Sequence, residues 1–124
     1  MRLTIACALA GLMVSATATL AEESNQVARG GTLYKEYCSL CHGVDGQRGE
    51  GFQTPIWGSK AHIKKFEHAL GLFEYMLFLM PFDNPNKINE QQKWDIIAYM
   101  MANHGAMERT KTLEPSTANS VPIK

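Results

Sequence analysis

Cys38-Ser39-Leu40-Cys41-His42 places two thiols three positions apart with an imidazole directly after them. This is the attachment signal of a c-type haem. The chemistry requires the spacing. Each sulfur adds to one of two vinyl groups on a single edge of the porphyrin. The next side chain then lies under the ring, where its Nε2 reaches the iron. Other readings of Cys-x-x-Cys are weaker here. A thioredoxin-like pair needs a βαβ setting that the sequence lacks. A structural zinc site needs four ligands, usually as two spaced pairs. There is no second Cys-x-x-Cys, and His62, His68 and His104 are not paired with another cysteine. One covalently bound haem c is therefore expected, tethered by Cys38 and Cys41, with His42 as an axial ligand.

The N-terminus agrees with that chemistry. Met1-Arg2 gives a short positive start, Leu3 to Val14 is apolar and uncharged, and Glu22-Glu23 opens a polar region. Ala16-Thr17-Ala18 and Thr19-Leu20-Ala21 are small-residue cleavage sites. Residues 1–21 read as a secretory signal peptide, too short and wrongly flanked for a membrane span. Cleavage is expected after Ala21, with Ala18 as the competing site. Cys7 leaves with the signal. In an oxidising compartment Cys38 and Cys41 would pair unless another reaction consumed them, and haem attachment does so. The expected location is the periplasm.

Charge and hydropathy exclude several classes. The 124 residues carry twelve basic and twelve acidic side chains, and loss of Arg2 leaves a net charge near −1. With no basic run, nucleic-acid binding is not expected. No later segment approaches ~18 consecutive apolar residues, so no membrane anchor is expected once the signal is cut. The remaining length suits one domain.

Val27, Gly31, Tyr34, Cys38 and Cys41 recur at helical spacing, predicting a helix over about 26–37 that delivers the cysteines at its end. Gly30 and Gly31 each cost about 1 kcal/mol of helix propensity against alanine. They either admit a second helix closely or fray the helix start. Gly43, Gly46, Gly49, Gly51, Pro55 and Gly58 predict a long loop over 43–60 that wraps the haem edge. A second helix is expected over 66–79, with Leu70, Phe73, Met76, Leu77 and Met80 on its stripe; Pro81 and Pro85 end it. Asn89 and Gln92 resemble a capping box for a last helix over 90–103, with core face Trp94, Ile97, Ala98 and Met101 and a stop at Gly105. The haem domain is expected over 22–105. Residues 106–124 are polar, without a stripe, and read as a flexible tail.

The sixth iron ligand separates an electron carrier from a reactive haem. The candidates are Met76, Met80, Met100, Met101, Met107, His62, His68 and His104. Met80 is preferred, because Pro81 forces the backbone out of the helix there and 38 residues separate it from His42. Met76, one turn earlier, is expected in the core. His62 or His68 would give a lower-potential bis-histidine haem, but both sit among Lys60, Lys64, Lys65 and Glu67 and read as solvent-facing. An open sixth site would admit peroxide or gas chemistry, and nothing suggests a distal catalytic pair. A thioether raises the reduction potential relative to a second imidazole. Around the iron, the Pro55 carbonyl is a candidate to orient the other ring nitrogen of His42. Trp57 either covers a haem edge and bonds a propionate through its indole N–H or packs without a polar role. Tyr34, Tyr37, Phe52, Phe73 and Phe82 are expected to dry the pocket. A partner is expected to dock on the Cys38/Cys41 edge together with Pro81-Phe82.

Gly31-x-x-Tyr34, Cys38-Ser-Leu-Cys41-His42-Gly43, Pro55-Ile-Trp57-Gly58, Met80-Pro81 and a last helix holding Tyr99 resemble class I cytochrome c over residues 27–104. The resemblance implies an all-α fold with about three main helices and long loops wrapping one haem. It also implies a crossing of the first and last helices near Gly31 and Tyr99, and Pro55 as the carbonyl partner of His42. The run from Phe73 through Met80-Pro81-Phe82-Asp83 to Pro85, with Ile88-Asn-Glu90 and Ala98-Tyr99, is similar to the cytochrome parts of bacterial sulfite dehydrogenases and sulfur-oxidation complexes. That likeness implies a dehydrogenase with a molybdenum subunit as electron donor, and a cytochrome or oxidase of the respiratory chain as acceptor. The chain departs from it in its polar tail and in Trp94. Dihaem thiosulfate-oxidising cytochromes share the Pro-x-Trp-Gly and Met-Pro elements, but this chain has one haem site. The leading expectation is a non-enzymatic electron carrier. The alternatives are a peroxidase or thiosulfate-oxidising haem enzyme with a labile sixth ligand, and a docking module whose tail binds a partner.

Overall fold

The structure, a computed structural model, describes residues 23–124. The signal peptide expected over residues 1–21 lies outside the described residues. Among those described there are helices and no strand: α1 (Asn25–Tyr37), α2 (Ser39–His42), α3 (Ala69–Leu79) and α4 (Glu90–His104), with short 3₁₀ segments between and after them. No described helix is long and apolar enough to cross a membrane.

α1 starts at Ser24, whose Oγ accepts from the Val27 N–H at 3.2 Å, satisfying one of the free donors of the first turn. Its buried face is Gln26, Val27, Gly30 and Tyr34, and it packs across α4. The two glycines serve close approach. A Cβ on Gly30 would sit 1.9 Å from the Asp95 carbonyl oxygen, and one on Gly31 would sit 3.1 Å from the Tyr99 ring. The tightest point is thus one residue before the position the resemblance implied. Arg29 clamps the same crossing with a two-pronged bond to the buried Asp95 carboxylate, 2.8 and 3.1 Å, the geometry a guanidinium favours.

α4 is the central element. Lys93 to Ala98, Met100 and Met101 are all buried, so it is covered on more than one side. The capping box is present, with the Gln92 N–H on Asn89 Oδ1 at 2.9 Å and the Asn89 N–H on Gln92 Oε1 at 2.8 Å. Gly105 ends the helix in the left-handed conformation, φ 83°. α3 leans on α4 through Phe73 stacked on Trp94, centroids 4.0 Å apart.

Two expectations need correction. The helix predicted from residue 66 begins at Ala69. Residues His62–Phe66 form a separate 3₁₀ turn, and Glu67 at φ 65° breaks the helical ladder. His68 then caps α3, its Nδ1 accepting from the Gly71 N–H at 3.2 Å. Residues 106–124 are also not a flexible tail. Leu113, Ala118 and Ile123 are buried. The Gln26 side chain donates to the Leu113 carbonyl at 3.1 Å and accepts its N–H at 2.6 Å. The Ala69 N–H reaches Val121 O, and the Ile123 N–H reaches Glu67 O. Three apolar side chains, widely spaced, dock one at a time, so the segment packs without any helical or strand stripe.

Candidate haem site

α2 is a single turn whose residues are Ser39-Leu40-Cys41-His42. The Cys38 N–H bonds Tyr34 O at 2.9 Å, and the His42 N–H bonds Cys38 O at 3.0 Å. The loop behind it folds straight back, with the Phe52 N–H on Cys41 O at 2.8 Å. A Cβ on Gly51 would lie 2.9 Å from Cys41 Sγ, so this return path needs a residue without a side chain. Tyr34 ties the turn down by donating its hydroxyl to Gly43 O at 2.7 Å. Burial, with Cys38 second, holds that phenol well above its ordinary pKa. Burial, then Cys41, pushes the Cys38 thiol up to about 12.

Beside this turn lies a cavity of about 500 Å³. Cys38, just before α2, lines it with Cys41 and His42 of α2, Met76 and Met80 at the end of α3, and Met100 of α4. The four residues expected to tether a haem and ligate its iron therefore share one cavity. His42 Nδ1 is buried without a hydrogen-bond partner. Burial, and then His62, lower the His42 pKa and favour the neutral imidazole, the form that ligates metals. Met80 is the extended residue that ends α3, its N–H bonded to Met76 O at 3.2 Å.

The other expected residues divide. The Pro55 carbonyl accepts the His62 N–H at 2.8 Å, and no bond joins it to His42. Pro55 thus accepts from the first residue of the 3₁₀ turn. Trp57 is buried outside the cavity wall, against Tyr34 (5.1 Å) and Tyr99 (5.8 Å) at the helix crossing, which is the packed alternative. Met76 lines the cavity as well as the core, while Met101 is wholly buried and absent from the cavity lining. His62 is not a solvent-facing residue. It lines the cavity, edge-on to Phe52 at 5.0 Å, and Phe52 in turn meets His42 at 5.1 Å. His68 caps α3, and His104 Nδ1 accepts from the Gly58 N–H; neither lines the cavity.

Lys93 escaped the sequence reading. It is 2% exposed, and its Nζ donates to the carbonyls of Met76 and Met80, both at 2.8 Å. Burial lowers its pKa, opposed by Glu90. The available signal was its place three and four residues before Ile96 and Ile97, on the buried side of α4.

No group of three or more His, Cys, Asp or Glu is placed to hold a metal ion among the described residues. A metal held here needs most of its ligands from elsewhere. A porphyrin supplies four nitrogens and leaves two axial positions, matching one imidazole and one thioether. The apolar wall, the paired thiols and the two axial donors fit a covalently bound haem c.

Residues 25–100 match the family described as Cytochrome C oxidase, cbb3-type, subunit III. The thiosulfate dehydrogenase of Stutzerimonas stutzeri (strain A1501) is 26% identical over 104 residues, 68% of this chain and 33% of the relative. The chain thus spans about a third of that relative's length. Among solved structures, the sulfane dehydrogenase SoxCD from Paracoccus pantotrophus aligns with a TM-score of 0.67 at 20% identity, covering 78% of this chain and 52% of the other. This likeness is one of fold. The thiosulfate dehydrogenase TsdBA from Marichromatium purpuratum aligns with a TM-score of 0.46 at 29% identity, over 61% of this chain and 17% of the other.

Proposed function

The chain belongs to this family of c-type cytochrome domains, and we propose that it works as an exported, periplasmic monohaem carrier of single electrons. Haem c supplies the redox-active iron. Cys38 and Cys41 would hold it by thioether bonds, and His42 and Met80 would ligate its iron. The observation that carries this reading is the presence of both axial donors in the wall of one apolar cavity. Two protein ligands on the iron leave no coordination site for substrate, and neither ligand has to leave when the oxidation state changes. The apolar wall excludes water, which also tunes the potential.

The donor in this reading is a dehydrogenase, of the molybdenum sulfite dehydrogenase type, and the acceptor is a cytochrome or oxidase of the respiratory chain. The sulfur-oxidising names of the relatives support the donor class. An apolar surface supports docking at the attachment edge. Leu40, between the cysteines, is 69% exposed, and Phe82, on the cavity rim, is 84% exposed.

A second reading is favoured by the likeness to thiosulfate dehydrogenase: a haem enzyme with a labile sixth ligand. The test mixes purified protein with thiosulfate and a small-molecule oxidant. The carrier reading predicts no thiosulfate turnover, together with one-electron reduction by a sulfur-oxidising dehydrogenase. Sustained thiosulfate oxidation by the protein alone contradicts it.

A further inference from the structure

Lys93 is almost fully buried, yet no carboxylate pairs with it among the described residues. Its ammonium donates to Met76 O, Met80 O and Pro85 O, each at 2.8 Å, and to Leu77 O at 3.3 Å. An ammonium has three donors, so these four acceptors saturate it. All four belong to one continuous segment, the last turn of α3 and the loop after it. The carbonyls of a last helical turn lack intrahelical donors, and a cation there is favoured by the helix dipole. Water satisfies such carbonyls at an exposed helix end. Here the end is pressed against α4, and burying the ammonium carries a substantial desolvation penalty. That penalty is tolerated where the geometry must be specified.

What the geometry specifies is Met80. Its N–H is bonded to Met76 O and its carbonyl is held by Lys93, so both sides of the residue are tied. The anchor is α4, whose neighbouring Ile96 and Ile97 are wholly buried. The residues that follow Met80 in the chain are different: Phe82, Asp83 and Asn84 are all exposed. A methionine side chain has three rotatable bonds, so the backbone must supply the precision that the side chain lacks.

We infer that Lys93 is a positioning residue for Met80, holding the ligand's backbone to the core of α4, and that its unpaired positive charge favours the reduced iron. The inference rests on Met80 being the sixth ligand. An unpaired charge in a low-dielectric interior acts strongly on a second charge nearby, and reduction adds one negative charge to the haem.

The test uses the holoprotein and two variants. Lys93→Met keeps an unbranched stem and removes donors and charge; Lys93→Gln removes the charge and keeps two of the three donors on a side chain one atom shorter. Lys93→Met is expected to weaken the near-infrared band that marks thioether ligation in the ferric protein. Its ferrous form is expected to bind carbon monoxide about tenfold faster, the equivalent of one lost charge-assisted hydrogen bond. Both variants are expected to have a lower reduction potential than the wild type, with Lys93→Gln retaining more of the band. A Lys93→Met protein with wild-type band, carbon monoxide rate and potential overturns the inference. If Met80→Ala keeps the wild-type band, the ligand assignment fails first, and the inference falls with it. If neither lysine variant accumulates, the wild type is labelled with acetic anhydride. Lys93 is expected to be protected until imidazole displaces the sixth ligand, and labelling unchanged by imidazole overturns the inference.

Discussion

His62 and Lys93 are titratable side chains in apolar surroundings, one lining the cavity and one buried in α4. Burial first, and then the positive Lys65, lower the His62 pKa. The unfolded chain therefore binds a proton that the folded imidazole resists. The stability linked to His62 is fully present above about pH 6.5, the ordinary histidine value, and is lost as pH falls below it. His62→Gln is predicted to flatten the decline of melting temperature with acidification; an unchanged slope counts against this. Gly30 is a matter of space rather than charge. A Cβ there meets the Asp95 carbonyl at 1.9 Å, so Gly30→Ala forces two helix backbones apart. A loss of about 1–3 kcal/mol or more is expected, since overpacking costs that much in ordinary cores. Chemical denaturation measures it, and a stability equal to wild type contradicts the crossing geometry.

Among the elements, those with a stripe and a cap were legible in the sequence. α1 and α4 appear where helical spacing, Asn89-Gln92 and Gly105 placed them. The haem motif brought Cys38, Cys41 and His42 into view and Pro81 brought Met80, while the single turn α2 was not among the expected elements. What was not legible depends on contacts between distant segments. The start of α3 is set by Glu67 turning left-handed, and Glu67 O accepts from the Ile123 N–H while the Ala69 N–H donates to Val121 O, more than fifty positions on. Lys93 looked like one more charge on a helix, because a hydrogen-bond partner set of backbone carbonyls leaves no trace in residue types. Pro55 accepts the His62 N–H and Trp57 packs against Tyr34 and Tyr99, contacts that residue type alone does not reveal. The tail makes the same point and can be tested. Leu113, 2% exposed, sits against α1. Leu113→Ala is predicted to cost about 2–5 kcal/mol, as for other buried leucines. A change within ±0.5 kcal/mol, as at free surface sites, means that the segment does not pack.

Over the whole molecule, the four helices and the chain between α2 and α3 line one cavity, and exposed apolar side chains lie at the attachment turn and on the rim. Leu40 and Phe82 are exposed, and the proposed docking surface uses both. Replacing both with serine is predicted to slow electron exchange with a dehydrogenase partner while leaving the haem spectrum and melting temperature unchanged. Equal exchange rates place the docking surface elsewhere. The central claim remains the pairing of His42 with Met80 across the cavity. The most direct measurement is the near-infrared absorption of the purified ferric protein, recorded beside Met80→Ala. The account predicts a low-spin spectrum with the thioether band in the wild type and its loss in the variant. A high-spin or bis-histidine spectrum in the wild type, or a band that survives Met80→Ala, contradicts it.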